Sequence, residues 1–512
     1  MPDAVVIGAG PNGLVAANML VDRGWDVVVL EAAPTPGGAV RSESLMEPRF
    51  VNDVFSAFYP LGFASPAIRA LGLEEFGLTW RRAPLVLAHP APDDTCPIIS
   101  TDIDETACAL DALHPGDGDA WRRLFERWTR VRDGLLDALF TPIPPVRASA
   151  RLALATRHDG LLRFARFALL SARRLVTEEF ASEGARRLFA ATALHADLSP
   201  EDSLSGFFGW ILCSLGQEVG WPVPEGGAGR LTDALVTRLQ TKGGRVECNV
   251  PVERVVVRDG RAVAVVARGD EVAVTRAVLA DVDAPRLYRS LVGPEHLPAR
   301  VLDALARFTW DHAVAKIDWN LDAPVPWRAT AARRAGTVHL VDSLDALTET
   351  RAQIARGVVP ERPFLLLGQQ SMTDPSRMPN GCETLWAYTH LPRGLQFDHD
   401  AKERLADRMQ GCIEELAPGF AATIRARHVM APADLEARNA NLVGGAIGGG
   451  TGQLYQQLVF RPIPGWGRAE TPVRGLYLAS ASAHPGGGVH GACGANAARA
   501  ALWHDRLRFR RG

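Results

Sequence analysis

The chain has 512 residues, of which 47% are apolar and 22% charged, and its net charge at pH 7 is -2. This composition is typical of a globular protein, and the balanced charge argues against a nucleic-acid partner. The length exceeds what one core usually supports, so we expect two interleaved domains. No apolar run reaches the roughly 18 residues that a membrane-spanning helix needs. A strand is predicted from residue 4, so we expect no signal peptide and a cytoplasmic location.

The seven cysteines are scattered along the chain. None belongs to a Cys-x-x-Cys pair, which disfavours both a disulfide-reductase mechanism and a zinc site. We therefore expect no metal ion.

The N-terminus carries a nucleotide-binding pattern. An apolar strand at 4–7 is followed by a Gly-x-Gly-x-x-Gly turn at 8–13, an apolar helix, and a second strand that ends in Glu31. The glycines permit a tight turn, close approach of a pyrophosphate to the backbone, and close packing of the helix on the strand. The pyrophosphate would sit at the helix N-terminus and the ribose hydroxyls at Glu31. The residues predicted to bind at this end are Gly8, Gly10, Pro11, Asn12, Gly13, Glu31 and Ala32.

A second glycine turn follows at 36–42 and discriminates between cofactors. A chain that folds back there toward the first pyrophosphate turn is the usual arrangement for FAD rather than for a soluble nicotinamide. Glu31 also argues against a 2′-phosphate, which a carboxylate would repel. The residues predicted to bind FAD in this turn are Gly37, Gly38, Ala39 and Arg41.

These two motifs resemble the N-terminus of the flavoprotein superfamily that contains phytoene desaturases and amine oxidases. The C-terminal segments 471–479 and 484–491 are similar to the closing flavin motif of phytoene desaturase-like proteins, and the branch most alike is named for a pyridine nucleotide-disulfide oxidoreductase domain. The resemblance implies an α/β fold, with a glutathione-reductase-like, Rossmann-type FAD-binding domain interleaved with an α+β substrate domain. It implies noncovalent FAD, with further contacts from Val252, Ser480, Gly487, Gly488 and Val489.

One departure from the family concerns the segment after the Leu-Tyr strand. Many relatives have Gly-Asp there, whereas this chain reads Ser-Ala-Ser-Ala at 480–483. Since the resembling branch often has small residues at these positions, we still expect FAD to bind.

The predicted domain boundaries follow this resemblance. We assign 1–65, 216–290 and 456–512 to the FAD-binding domain, and 66–215 and 291–455 to the substrate domain. Residues 104–216 are predicted to be mainly helical, with a core-packing stripe of large apolar side chains from Trp121 to Leu135. The pair 250–257 and 261–266, joined by Asp259-Gly260, predicts a β-hairpin.

A glycine run at 486–488 lets a planar ring approach the backbone without meeting a Cβ. We expect the following helix, from Gly491 to Leu502, to aim its N-terminus at the flavin and to stabilise negative charge on the reduced ring. His484 and His490 flank the run, and either could act as a base. Structural hydrogen bonding is the alternative role for His484.

Lys316 lies in an alternating stretch, 313–319, that predicts a strand. The resemblance to amine oxidases implies that Lys316 is the counterpart of a lysine that holds a water against flavin N5. The alternative is an exposed lysine at a strand end.

Segment 147–174 carries seven arginines and one acid, Asp159, interleaved with leucine and phenylalanine. It predicts a basic amphipathic helix that could contact an anionic membrane, so that an apolar substrate reaches the flavin. An ordinary solvated helix face is the alternative.

The function predicted from these features is FAD-dependent removal of hydride from a largely apolar substrate, by desaturation or isomerisation of a polyene or lipid. Two alternatives stay open: a flavin amine oxidase, and a non-catalytic flavoprotein that binds a membrane surface or a partner. The glycine-rich segment 444–450 lacks a preceding strand and a following acid, which argues against an NADPH domain. Electrons would therefore leave to oxygen or a quinone.

Overall fold

The computed structural model describes residues 1–157 and 160–509. Within these ranges the strands are β1 (Ala4–Ile7), β2 (Val27–Leu30), β3 (Ser42–Glu43), β4 (Asn52–Asp53), β5 (Trp80–Arg81), β6 (Leu85–Ala88), β7 (Ile98–Ile99), β8 (Val223–Pro224), β9 (Arg245–Glu247), β10 (Val252–Arg258), β11 (Arg261–Ala267), β12 (Asp270–Ala273), β13 (Ala277–Ala280), β14 (Ala313–Leu321), β15 (Ala335–Leu340), β16 (Leu365–Gln369), β17 (Glu383–Leu391), β18 (Ile424–Met430) and β19 (Leu476–Leu478).

The α-helices in the same ranges are α1 (Pro11–Val21), α2 (Pro60–Ala64), α3 (Pro66–Arg69), α4 (Ile103–Asp111), α5 (Asp117–Phe140), α6 (Val146–Ala155), α7 (Leu161–Leu169), α8 (Ala172–Glu179), α9 (Glu183–Ala193), α10 (Ser205–Val219), α11 (Gly229–Thr241), α12 (Ala284–Arg286), α13 (Ala299–Leu305), α14 (Leu344–Ala355), α15 (Gln370–Thr373), α16 (His399–Leu416), α17 (Phe420–Thr423), α18 (Pro432–Arg438) and α19 (Ala492–Phe509). Short 3-10 turns and one π-helical turn, Leu287–Val292, connect some of them.

A five-stranded parallel sheet forms the nucleotide-binding half, in the order β19-β13-β1-β2-β9. Its strands are short runs of valine, leucine, isoleucine and alanine because both faces are covered, as in other parallel sheets. Helices α1, α11 and α19 pack on one face, and the hairpin sheet β10-β11-β12 with the segment around α13 packs on the other. The strand order reverses on either side of β1, so a crevice opens between the ends of β1 and β13.

The predicted hairpin is confirmed. Strands β10 and β11 pair antiparallel, and their connection at Asp259 and Gly260 has positive φ at both residues, as a two-residue Asp-Gly turn requires. A third strand, β12, extends this sheet and was not predicted from the sequence.

A seven-stranded mixed sheet forms the other half, in the order β18-β14-β17-β16-β15-β6-β7. One face packs on α16, whereas the other faces the helical region made by α5 and α8 to α10. Each of the two large sheets is assembled from separate stretches of chain.

In the helical region, the prediction made from the sequence holds for the core residues and fails at the surface. Trp121, Leu124, Trp128, Val131 and Leu135 are buried along α5, which confirms the core-packing interpretation of this stripe.

The single basic helix predicted over 147–174 is wrong. The chain there forms α6, α7 and the first residues of α8, with separate caps because Gly160 has a positive φ and Ser171 caps α8. Asp159, the one acid of that prediction, lies outside the described residues. None of the helices within the described ranges is long and apolar enough to cross a membrane.

Candidate functional site

A cavity of about 420 Å³ lies between the two halves of the molecule. Its walls come from the crevice end of the parallel sheet, from the inner face of the seven-stranded sheet, and from α10. Both glycine turns and the C-terminal glycine run open into it. The cavity therefore joins the predicted cofactor site to the substrate domain.

The first glycine turn has the conformation that an anion site needs. Gly8 has φ +93°, and Gly10 precedes α1 without a side-chain cap of its own. Pro11 has no N–H and the N–H of Gly13 is bound by Asp281, so the N–H of Asn12 is the group at the start of the helix that stays open. The second turn folds back on the first: a Cβ at Gly38 would lie only 3.1 Å from the Cα of Gly10. The backbones of the two turns therefore pack against each other with little room for a side chain between them.

Glu31 lies directly after β2, beside the first turn. Its two carboxylate oxygens accept N–H groups of Ala9 at 2.6 Å and Ala33 at 2.8 Å. The N–H of Val250, two residues before Val252, donates to the carbonyl of Glu31 at 2.8 Å. Glu31 is therefore held in place at the edge of the crevice, next to the strand that the resemblance assigns to the adenine.

Asp281 is a site residue that the sequence analysis missed. It follows β13, and its Oδ2 accepts the N–H of Gly13 at 2.9 Å. A Cβ at Gly10 would lie 2.5 Å from the same oxygen. Burial, and after it the charge of Glu31, raises the pKa of Asp281 to about 7. The only sequence signal was an acid at the end of an apolar strand, and that pattern is common.

The C-terminal glycine run packs against the segment 447–450. A Cβ at Gly487 would lie 2.9 Å from the Cα of Gly448, so no side chain fits between the two segments. The carboxylate of Asp311 holds the segment by accepting N–H groups from Ile447, Gly448 and Gly450 at 2.6 to 3.0 Å. The sequence analysis considered this glycine-rich segment only as a second nucleotide motif, whereas it forms part of the cavity wall.

Helix α19 starts at Ala492 and extends past the predicted end to Phe509. It crosses α1 in close contact, because a Cβ at Gly494 would lie 1.8 Å from the carbonyl oxygen of Asn12. The two helices whose N-termini face the crevice are fixed to one another at this point.

The segment 480–483, which differs from the Gly-Asp of many relatives, forms a turn held by hydrogen bonds to neighbouring segments. The Ser482 hydroxyl donates to the carbonyl of Gly449 at 2.8 Å and accepts the N–H of Ala284 at 3.2 Å. The buried guanidinium of Arg461 donates to the carbonyl of Ala481 at 2.7 Å. Ser480, Ala481 and Ser482 all line the cavity, so small side chains here leave room for a ligand.

Two buried oxygens at this end of the cavity have no hydrogen-bond partner in the described part of the chain: Oδ1 of Asn12 and Oδ2 of Asp283. Both residues line the cavity. Buried polar atoms are normally paired, so these oxygens indicate a ligand with donor groups. Together with the open helix end and the glycine approach at Gly10 and Gly487, they fit a flavin dinucleotide.

Lys316 lies in the middle of β14 and is 3% exposed, so the alternative of an exposed lysine at a strand end is wrong. Its Nζ donates to the carbonyl of Asp53 at 3.0 Å and forms an ion pair with Asp318. Burial raises the pKa of Asp318 to about 6, against the opposing effect of Lys316. Lys316 lines the cavity, and its three N–H donors have acceptors in the Asp53 carbonyl and the two carboxylate oxygens of Asp318.

The two predicted histidines differ. His490 lines the cavity, and its Nδ1 accepts the N–H of Ala492 at 3.0 Å, which leaves the proton on Nε2. His484 is buried and does not line the cavity; neither ring nitrogen has a partner of strict hydrogen-bonding geometry in the described part of the chain, although the backbone of Thr141 and of Leu139 acts on its pKa. Burial lowers the pKa of both to about 4, so both are neutral at pH 7.

The predicted site residues thus divide into two groups. Those that line the cavity are Gly10, Pro11, Asn12, Gly38, Ala39, Lys316, Ser480, Gly487, Gly488, Val489 and His490. Those that do not line it are Gly8, Gly13, Glu31, Ala32, Gly37, Arg41, Val252 and His484.

A glycine turn at the reversal point of a parallel sheet, closed by a second glycine turn, defines a Rossmann-type dinucleotide-binding protein of the flavoprotein class. Residues 12–502 match the family described as flavin containing amine oxidoreductase. The chain belongs to this family and is an FAD-dependent oxidoreductase.

Individual relatives agree with this assignment. The chain is 31% identical to pyridine nucleotide-disulfide oxidoreductase domain-containing protein 2 of Rattus norvegicus, over 97% of this chain and 92% of that protein. It is 26% identical to the lycopene-forming phytoene desaturase of Pseudescherichia vulneris, over 99% of this chain and all of that protein (100%). Among solved structures, the fold is similar to that of cyclohexylamine oxidase from Brevibacterium oxydans IH-35A, with a TM-score of 0.60, 16% identity and 99% of each chain covered.

The raised pKa of Asp281 predicts a pH dependence of FAD binding. Below pH 7 the acid is neutral, whereas above pH 7 it must take up a proton before an anionic pyrophosphate can sit beside it. Titration of apoprotein with FAD, followed by flavin fluorescence, should show affinity weakening by up to about tenfold per pH unit above pH 7. The isosteric Asp281→Asn variant should bind with little pH dependence. An equal pH dependence in both proteins would contradict this role.

Proposed function

We propose that this protein removes hydride from a largely apolar substrate, by desaturation or isomerisation of a polyene or related lipid. The observation that carries the proposal is the continuity of one cavity from the glycine turns to an apolar chamber. FAD, when bound, supplies the hydride acceptor. The chain's own residues supply the chamber, its closure against water, and the polar groups at its wall.

The chamber is mainly apolar and aromatic. Helix α10 contributes Ile211 and Leu212 to one wall, and the inner face of the seven-stranded sheet contributes Leu366 and Trp386 to another. Phe58 and Leu61, at the start of α2, also line the chamber. Such a surface binds hydrocarbon by the hydrophobic effect, at about 25 cal/mol per Å² of apolar area buried. The phytoene desaturase relatives act on substrates of this kind by name, which supports the same substrate class here.

An amine oxidase is the second candidate, and Lys316 is the observation that favours it. An ammonium group would need an available carboxylate or aromatic cage. Of the four carboxylates that the described residues place in the cavity wall, Asp281 and Asp283 lie at the cofactor end, and the other two are already engaged, Asp197 by Arg351 and Asp311 by three backbone N–H groups. This makes the apolar substrate the better supported of the two.

Anaerobic reduction of the flavin separates these functions. Incubation with polyenes in detergent micelles should bleach the visible flavin absorbance, whereas a panel of primary amines should leave it unchanged. Bleaching by amines alone would favour the amine oxidase instead. If neither bleaches the flavin, reduction by dithionite and reoxidation in air show whether the flavin is redox-accessible, and an inaccessible flavin would support the non-catalytic alternative.

The proposed role of Lys316 is to hold water or oxygen near the reduced flavin before electrons leave to oxygen. Lys316→Met should therefore slow reoxidation by oxygen by about a hundredfold or more, as loss of a positioned charge at a reacting centre does. Since Lys316 lowers the pKa of Asp318, its loss should raise that pKa above about 6, so the acid left behind takes up a proton more readily near neutral pH, which limits the loss of stability. Rapid mixing of reduced protein with oxygen gives the rate.

Lys242→Met is the matched control, since Lys242 lies on the surface in an ion pair with Asp22. Its reoxidation rate should equal that of the unmodified protein. An unchanged rate in Lys316→Met would remove Lys316 from the mechanism and weaken the amine oxidase candidate with it.

We also propose a peripheral membrane contact through 147–174. Leu154, Leu161, Leu162 and Leu169 are more than half exposed there, which is the surface such a contact needs. The arginines contribute less than the sequence suggests, because, among the described residues, at least four of them form ion pairs with acids that lie outside the segment. These four are Arg151, Arg166, Arg173 and Arg174.

Sedimentation with vesicles of phosphatidylcholine and phosphatidylglycerol tests the contact. The unmodified protein should bind, and Leu162→Glu should bind several-fold less because Leu162 is 86% exposed in the patch. Val358→Glu, at an exposed apolar residue outside it, should bind normally. Equal binding by the two variants would place any membrane contact elsewhere.

A further inference from the structure

One end of the chamber carries three histidines from separate parts of the chain. His390 lies at the end of β17, two residues after Tyr388, on the strand face that lines the cavity. His312 immediately precedes β14, and His195 lies in the turn after α9. All three line the cavity, as does Lys316, which pairs with Tyr388 across the sheet.

The charges behind these histidines are balanced. The carboxylate of Asp197 accepts the N–H of His312 at 3.0 Å and lies 2.9 Å from its Nδ1, and Arg351 donates to the same carboxylate at 3.2 Å. Although burial acts to raise it, these contacts hold the pKa of Asp197 below its usual value. The Arg351–Asp197 pair leaves no unbalanced charge of either sign at the wall.

Two of the three histidines, His195 and His390, are neutral at pH 7. Burial lowers the pKa of His195 to about 3, and burial together with the charge of Arg351 lowers the pKa of His390 to about 3. A neutral imidazole has one donor and one acceptor. With Nδ1 of His312 occupied by Asp197 and Arg351, its Nε2 is the atom left for a ligand.

A further polar atom lies in the same wall. Thr337 is fully buried, lines the cavity, and its Oγ1 has no partner among the described residues. Two residues along β15, His339 lies 2.9 Å from His195 between their Nε2 atoms. A buried hydroxyl without a partner indicates a ligand that can hydrogen-bond to it.

We propose that His195, His312 and His390 bind a hydroxyl group, so that the substrate is an apolar alcohol rather than a pure hydrocarbon or an amine. A hydroxyl both donates and accepts, which matches neutral imidazoles and the Thr337 hydroxyl. An ammonium group only donates, and it would need a free carboxylate, whereas Asp197 is paired with Arg351 and Asp311 holds three backbone N–H groups. A carboxylate only accepts, and it would need a cation, whereas Arg351 is held by Asp197 and Lys316 by Asp318. The inference rests on the proposed function, since it assigns a substrate group to the same chamber.

Calorimetric titration of the FAD-loaded protein with 1-octanol, n-octylamine and sodium octanoate at neutral pH tests the proposal. The three probes share one chain length and differ in the head group. Octanol should bind at least several-fold more tightly than the other two. Tightest binding of octylamine or of octanoate would overturn the proposal.

Variants locate the contact. His312→Phe should weaken octanol binding about tenfold, as expected when one hydrogen bond in a buried site is lost, and His312→Gln should restore part of the affinity. His296→Phe is the control, because His296 is similarly exposed but lies on the surface turn 294–296. Unchanged octanol affinity in His312→Phe would overturn the assignment, whatever the flavin-bleaching result. Conversely, octanol binding without any bleaching by apolar compounds would contradict the proposed function and leave this inference standing.

Discussion

Close approach of backbone segments at glycine positions is the constraint on which the rest of the structure depends. Gly10 meets Gly38, Gly487 meets Gly448, and Gly494 meets the carbonyl of Asn12, each at a distance that a Cβ would prevent. These contacts bring the N-terminal turn, the C-terminal run and two helix N-termini to one edge of the parallel sheet. Since parallel strands end together at that edge, the site for an anionic cofactor follows from the packing.

The substrate domain supplies the opposite wall of the cavity. Its seven-stranded sheet presents one face to helix α16 and the other to the cavity, so alternate residues of β14 and β17 become cavity wall. Lys316, Tyr388 and His390 share that face because they lie on paired strands in register. The sheet therefore fixes the positions of these polar side chains in a largely apolar chamber. A few polar groups held in this way can orient an apolar ligand.

Elements that depend on residues close together in the chain could be predicted from the sequence. The turn at 8–13, the acid at Glu31, the Asp-Gly hairpin and the strand around Lys316 depend on near neighbours, and all of these elements form as predicted. Asp281 and the group around Asp197 could not be predicted, because their partners are far away in the chain and are joined only by tertiary packing. The ion pairs of the basic segment 147–174 could not be predicted for the same reason, because the acids concerned, Asp137, Glu178 and Glu201, all lie outside the segment.

The central claim is that the glycine edge binds FAD noncovalently. The most direct test is to denature the purified protein and measure the flavin that is released. We expect yellow protein that releases about one FAD per chain, in keeping with a single Rossmann-type site. A colourless protein that takes up no FAD on titration would contradict the account.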